Sequence, residues 1–174
     1  MRHASAPNLT TERLTLRPFT PDDLDALAAI YADPDVMRQI SSGVRTREQA
    51  AAAITAYSEA WRTQGHGVWA VTETATGRLL GLCGFVDRAE LGYIFGRFAW
   101  GRGIATEAAR ACLRFGFERL SYETIGAGAL KDNAGSLRIL EKLGMHPTPN
   151  AHFDDHGGAY FEIARVEWTH QAAE

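Results

Sequence analysis

The densest chemical signal in this 174-residue chain is Trp100-Gly101-Arg102-Gly103-Ile104-Ala105-Thr106-Glu107-Ala108, a glycine-rich turn that runs straight into a helix-like stretch. Successive backbone N–H groups at such a helix start converge on one point with the positive end of the helix dipole behind them. That arrangement suits a pyrophosphate and needs no cationic side chain. The same two glycines would also serve a plain tight turn between strand and helix. No Gly-Lys-Ser/Thr follows, as a nucleoside triphosphatase requires, and the loop comes after several strand-like runs, whereas a dinucleotide fold opens on it. The spacing therefore points to a phosphate-bearing cofactor of another kind.

Other reactive side chains offer less. Cys83 and Cys112 read as two buried thiols, because they make neither a disulfide framework nor a zinc-ligand set. His66, His146, His152 and His156 sit beside glycine, proline or acidic residues in loop-like segments and show no metal-ligand pattern, so no metal is expected. A formal net charge of -3 gives no global attraction for a polyanion, which argues against nucleic acid. No secretory signal opens the chain and no apolar window is long enough to span a membrane, so a cytoplasmic protein without a membrane partner is expected.

The elements that must position the glycine loop are legible in outline. A chain of 174 residues makes one domain, since two halves would each be too small to bury a robust core; residues 1–8 are expected to be flexible. Arg13 to Arg17 alternates like a half-buried strand, and Thr20-Pro21-Asp22-Asp23 starts a helix that reaches about Ala32. Thr46 and Gln49 have capping-box spacing ahead of the run Ala50 to Ala60, which ends before Gly65-His66-Gly67. Val68 to Thr72, Leu79 to Phe85 and Glu90 to Phe95 then read as an antiparallel meander. A helix from Ile104 to about Leu120 and a strand from Thr124 to Leu130 imply a parallel crossover. Asp132 or Asn133 caps a further helix that stops at Gly144, and Ala159 to Trp168 is expected to be a closing strand, paired with a segment near Met145 to Phe153.

Three separated stretches, in register, resemble the GNAT superfamily of N-acetyltransferases: Glu90-Leu91-Gly92-Tyr93-Ile94-Phe95, then Trp100 to Ala108, then Asn133-Ala134-Gly135-Ser136 through Leu140-Glu141-Lys142-Leu143-Gly144-Met145. The opening Thr11-Glu12-Arg13-Leu14-Thr15-Leu16-Arg17 is similar to the start of the ribosomal-protein-alanine branch, the RimJ/RimL type. The resemblance implies an α/β fold with a mixed, mostly antiparallel central sheet of six to seven strands flanked by about four helices. Its fourth and fifth strands splay apart, and acetyl-CoA, as co-substrate, lays its pantetheine arm along the edge that carries Tyr93, Ile94 and Phe95. The pyrophosphate loop maps onto Gly101, Arg102, Gly103, Ile104, Ala105 and Thr106, and Asn133 falls on the family's CoA-contacting asparagine.

The resemblance also supplies catalytic candidates for direct transfer to an amine. Glu90 stands where the family often places an acid that serves as general base, and a backbone N–H around Ile94, where the family strand bulges, would polarise the thioester carbonyl. Much of the superfamily carries a proton-donating Tyr seven residues after the asparagine; here that position is Leu140. Ser136 matches the serine of the ribosomal-protein branch and would donate a hydrogen bond to the CoA sulfur, the plainer alternative being a helix-start serine bonded to its own backbone. Arg97 replaces the proline that the branch often has before the loop. The implied acceptor is a primary amine, either a protein or peptide N-terminal α-amine or a small-molecule amine, and a non-catalytic acyl-CoA-binding module is the reading from another class. Asp33, Asp35 and Glu48 are candidates to attract a cationic acceptor, while Tyr31, Trp61 and Trp69 are candidates for its walls or for core. The family often pairs as homodimers.

Overall fold

The computed structural model describes residues 6–171, with the first five and last three residues outside the described part. Two short strands, β1 (Leu9–Thr10) and β2 (Leu14–Arg17), form a hairpin. A single 3-10 turn at Pro21–Asp23 leads into α1 (Leu24–Ala32), and α2 (Pro34–Met37) follows directly. The long α3 (Arg47–Gln64) begins at a reciprocal capping box, in which Thr46 Oγ1 accepts from the Gln49 N–H and Gln49 Oε1 accepts from the Thr46 N–H. It ends at Gly65, whose φ of 72° is the left-handed geometry that glycine adopts without strain.

The meander β3 (Val68–Glu73), β4 (Leu79–Asp87) and β5 (Glu90–Phe95) is antiparallel, as the sequence pattern predicts. From β5 the chain crosses through α4 (Ile104–Glu118) to β6 (Thr124–Leu130), which is parallel to β5. After α5 (Ala134–Lys142) come β7 (His146–Pro147), α6 (Ala151–Asp154), β8 (Gly158–Ala164) and α7 (Arg165–Gln171). All the strands join one sheet in the order β1-β2-β3-β4-β5-β6-β8-β7. β3 and most of β4 are buried on both faces because helices cover both sides. Trp69, Val71, Leu80 and Phe85 pack with Ala108, Cys112, Leu113 and Phe117 of α4. Val68, Ala70, Leu79 and Leu82 pack with Leu27, Ile30 and Tyr31 of α1 and Ile54 of α3.

Several expectations are corrected. The sheet has eight strands instead of six or seven, because the two-residue β1 and β7 are too short to leave a sequence pattern. Seven helices occur among the described residues instead of about four, of which α2 and α6 are single turns. The closing strand stops at Ala164, not Trp168: Glu167 reaches back to accept the Ala164 N–H at 2.8 Å, which starts a helix there and packs Trp168 against Phe117. Tyr31, Trp61 and Trp69 are core residues, 0%, 4% and 0% exposed, with Trp69 donating to the Pro7 carbonyl and Trp61 to the Val68 carbonyl. Ala6 is buried as well and the Pro7 carbonyl accepts from Trp69, so Ala6 and Pro7 are held to the sheet although Pro7 and Asn8 are exposed; the rest of the expected flexible start lies outside the described residues.

One ion pair, with Asp23 buried and Arg17 half-buried, fixes the helical layer to the sheet. Both Asp23 oxygens accept from the Arg17 guanidinium at 2.7 and 2.8 Å, and the Thr20 N–H donates to the same carboxylate. Burial alone pushes that carboxyl upward, but the Arg17 and Thr20 hydrogen bonds and the Arg17 charge outweigh it and hold it below its ordinary value. The pair's contribution is therefore complete above the unfolded-state value of ~3.9 and is lost as pH falls through the lower folded value. We expect Asp23→Asn to cost about 2–3 kcal/mol at neutral pH, since it leaves Arg17 without its charge partner. Thermal unfolding checks this: the difference between the two proteins should shrink as the pH is taken down toward 3.

Candidate active site

The site begins where two strands stop pairing. β5 and β6 run parallel, yet the register holds only Glu90 opposite Gly126, with the Gly126 N–H donating to the Ala89 carbonyl. Beyond that point the strands diverge, and the gap opens into a cleft of about 570 Å³. Tyr93, Ile94 and Phe95 line one side of it; Gly101, Gly103, Ile104, Ala105 and Thr106 line its floor; Asn133 and Ser136 line the other side. Most of the residues singled out in the sequence thus meet in one place. The splayed strands are the fifth and sixth because β1 shifts the count.

The loop keeps its helix N-terminus free. Gly101 and Gly103 have φ of 69° and 75°, and Gly103, as the N-cap of α4, has no side chain to occupy the first N–H groups of the helix. The Trp100 indole donates to the Phe95 carbonyl at 2.9 Å, closing the end of β5 beneath the loop. From behind, Glu107 accepts from Thr11 Oγ1, the Arg13 N–H and Arg13 Nε at 2.6, 2.9 and 2.7 Å, while Arg13 Nη1 donates to the Arg102 carbonyl at 2.9 Å. The N-terminal hairpin therefore holds the glycine loop in shape. Arg102 does not line the cleft as expected, because its guanidinium turns away to Glu73 at 3.1 Å.

Asn133 caps α5, its Oδ1 accepting from the Ser136 N–H at 3.1 Å. Ser136 does not spend its hydroxyl on its own backbone: Oγ is 2.7 Å from the Tyr93 hydroxyl across the cleft. Burial pushes the Tyr93 phenol up to about 12, offset in part by that hydrogen bond. Leu140, at the family's tyrosine position, is 0% exposed and belongs to the core. The expected bulge at Ile94 is not there. β5 pairs regularly with β4 from Leu91 to Phe95, and both register shifts fall on β4, at Leu80 and Val86.

Glu90 does not line the cleft; it sits at the closed end of the splay, opposite Gly126. Burial, then the Asp87 charge, pushes its carboxyl above the ordinary value, with His152 acting the other way. Beside it the Tyr160 hydroxyl lies flat over Gly126, where a Cβ would come within 2.0 Å, and Phe153 covers Gly128 in the same manner. Cys83 and Cys112 are buried with their sulfurs 3.5 Å apart, behind the cleft. Asp33 and Asp35, candidates for an acceptor charge, are engaged by Arg97 at 2.7 and 3.0 Å, which ties α2 to the end of β5.

Three cations that sequence reasoning missed also line the cleft, Arg38, Arg138 and Lys142. Arg138 and Lys142 are four residues apart on α5, a spacing that could have signalled one face. Gln39 was missed as well: it lines the cleft, and its Oε1 is a buried acceptor with no hydrogen-bond partner. An orphaned acceptor in a cleft that an unpaired strand edge borders suits a ligand with amide donors, and a free helix N-terminus in a cleft that three cations also line suits its phosphates. The residues present therefore fit CoA. Among the described residues no cluster of three His, Cys, Asp or Glu side chains could hold a metal ion, and no helix is long and apolar enough to cross a membrane.

Residues 13–146 match the family model described as the acetyltransferase (GNAT) domain. The chain is 35% identical over 146 residues to the uncharacterised protein YkkB of Bacillus subtilis, covering 79% of this chain and 84% of that protein. It is 32% identical over 142 residues to the uncharacterised N-acetyltransferase p20 of Bacillus licheniformis, covering 78% and 80%. Among solved structures, an acetyltransferase from Agrobacterium tumefaciens superposes with a TM-score of 0.82 at 28% identity, covering 92% and 96%. A ribosomal-protein-serine acetyltransferase from Vibrio cholerae shares the fold, with a TM-score of 0.76 at 22% identity and coverage of 91% and 97%.

Gly103→Val should test the loop directly. A branched side chain at a positive φ forces the backbone out of the shape that frees the helix N-terminus. We expect the acetyl-CoA dissociation constant to rise more than tenfold, measured by calorimetry, while the ligand-free unfolding temperature falls by only a few degrees, about 1–2 kcal/mol of strain.

Proposed function

This chain belongs to the GNAT acetyltransferase family and is an N-acetyltransferase, and we propose that it passes the acetyl group of acetyl-CoA directly to the α-amine of a peptide or protein, as the RimJ/RimL type does. The family uses acetyl-CoA as its co-substrate and acts on amine acceptors. The observation that carries the assignment is the one-ended pairing of β5 and β6 beside a glycine loop with a free helix N-terminus.

Tyr93, Ile94 and Phe95 would hold the pantetheine arm along the β5 edge, with Gln39 accepting from an amide. Gly101, Gly103, Ile104, Ala105 and Thr106 would hold the pyrophosphate, and Asn133, already fixed as a helix cap, would contact the arm from α5. The bound thioester supplies an activated acyl carbon. An α-amine with pKa near ~8 is about a tenth neutral at pH 7, so one carboxylate suffices to remove its proton, whereas a lysine amine near ~10.4 needs far stronger help. Glu90 takes that role, directly or through a water. Glu90 would take the ammonium proton and release it to solvent before attack; as the C–N bond forms and the C–S bond breaks, the electron pair would leave on sulfur, the second nitrogen proton would pass to the ionised Glu90, and Ser136 would donate a hydrogen bond to the departing thiolate.

The raised Glu90 carboxyl works as a base only once it is ionised, so turnover should climb as the pH passes its elevated value. Glu90→Gln should lower kcat with an unactivated peptide acceptor more than tenfold at neutral pH and progressively less at higher pH, where the amine is neutral without help. An unchanged pH–rate profile would remove Glu90 from the base role. The cofactor half is tested by thermal unfolding: acetyl-CoA at a hundredfold excess over its dissociation constant adds about 2.7 kcal/mol, a rise of about 5 to 10 °C for a domain of this size. The acceptor half is tested with peptides whose N-terminus is free or blocked; equal turnover of a lysine-bearing peptide with a blocked N-terminus would exclude the α-amine reading.

A further inference from the structure

We propose that Tyr93 is a positioning residue for Ser136: its phenol donates to Ser136 Oγ and leaves the serine's own hydrogen directed at the sulfur of bound CoA, where it stabilises the thiolate. This rests on the assignment of the cleft to acetyl-CoA. The hydroxyls meet at 2.7 Å although the residues are 43 apart in sequence, one on β5 and one on the first turn of α5, and both side chains line the cleft. The Ser136 N–H is already committed to Asn133 Oδ1, so the start of α5 is held in place without the serine hydroxyl.

The direction of the bond follows from acidity. A phenol is a far stronger acid than an aliphatic alcohol and its oxygen a poorer acceptor, so Tyr93 donates and Ser136 accepts. A hydroxyl that accepts one hydrogen bond gives a stronger one with its own hydrogen. Burial favours the neutral phenol, pushed up to about 12, so Tyr93 keeps its proton to donate. Full proton transfer is not needed, because a thiol of pKa near ~8.5 leaves readily as the thiolate. What the pair supplies is a hydrogen bond to developing charge, while the amine proton leaves by way of Glu90. With Leu140 buried in the core, the Tyr93–Ser136 pair, which bridges the two sides of the cleft, supplies a protic group there.

The test reads the thiol and needs no acceptor. CoA bound to the protein is titrated by the ultraviolet absorbance of its thiolate, with ligand-free protein titrated in parallel and subtracted. The bound thiol should ionise at least about one pH unit below its free value near ~8.5. Tyr93→Phe, which keeps the ring, and Ser136→Ala should each return most of that shift, the double variant should go no further than Ser136→Ala, and Ser136→Thr should restore it. A Tyr93→Phe protein that binds CoA and titrates like the original overturns the proposal, as does a bound thiol that titrates like free CoA in the unaltered protein. In both cases the thermal shift with CoA persists and the acetyl-CoA reading stands. No thermal shift with CoA overturns both. If Tyr93→Phe fails to fold, Ser136→Ala alone decides, since an unchanged thiol titration there removes the pair from the sulfur.

Discussion

Two parallel strands that bond at one end only set the terms for everything else in this molecule. Beyond Glu90 and Gly126, the facing edges of β5 and β6 have backbone N–H and C=O groups that no strand satisfies, and such groups need water or a ligand. The splay holds because each strand is secured on its other side. β5 is paired with β4 from Phe95 back to Glu90, and β6 with β8 over seven consecutive residues. Neither can swing inward without breaking a complete ladder. A slot with unpaired edges is therefore a stable feature of the fold, and a ligand with amides is its natural partner.

The remainder of the structure protects the shape of that slot. The glycine loop at its floor would be an ordinary flexible turn if left alone, but Glu107 gathers Thr11 and Arg13 from the N-terminal hairpin, and Arg13 in turn holds the Arg102 carbonyl. Just past the end of β5, Arg97 bridges to Asp33 and Asp35. These pairs are largely exposed and each is worth little to global stability. Their effect is local: they fix two segments whose own backbone bonding would leave them loose. The net charge of -3 is likewise no guide to the slot, where Arg38, Arg138 and Lys142 are grouped. The local donors of a helix N-terminus and the side chains that line the cleft, Asp35 and Asp132 among them, decide anion binding there, whatever the average over the chain.

Features carried by neighbouring residues were legible in the sequence, and features made by distant ones were not. The Thr46–Gln49 capping box, the turn glycines and the strand–loop–helix junction at Gly101 to Ile104 depend on contiguous residues, and each is present. The order of elements followed, and with it the parallel crossover. The tail misled because Ala159 to Trp168 has strand-like composition throughout, while one side chain, Glu167, decides that a helix begins at Arg165. The orphaned Gln39 oxygen, the Arg13–Glu107 latch and the Tyr93–Ser136 bond join residues far apart in sequence. No periodicity encodes them. The motif resemblance located Tyr93 and Ser136 separately, and only the fold brings their hydroxyls together.

The two-residue period of a strand then does chemical sorting. Glu90, Gly92 and Ile94 share one face of β5, and Ile94 packs with the α1 and α3 layer. Leu91, Tyr93 and Phe95 share the other face, packed with the α4 layer. A base at position 90 and a hydroxyl pair at position 93 are an odd number of residues apart, so they stand on opposite sides of the sheet. That arrangement suits direct transfer: in the tetrahedral intermediate nitrogen and sulfur are separate substituents of one carbon, so a base and a leaving-group donor on different faces can each serve its own atom. On the proposed roles, one strand carries both the proton acceptor and the tyrosine that positions the leaving-group donor, Ser136 of α5. Regular pairing of β5 with β4, with both irregularities confined to β4, matters for the same reason, since a bulge between Glu90 and Tyr93 would bring both groups to one face.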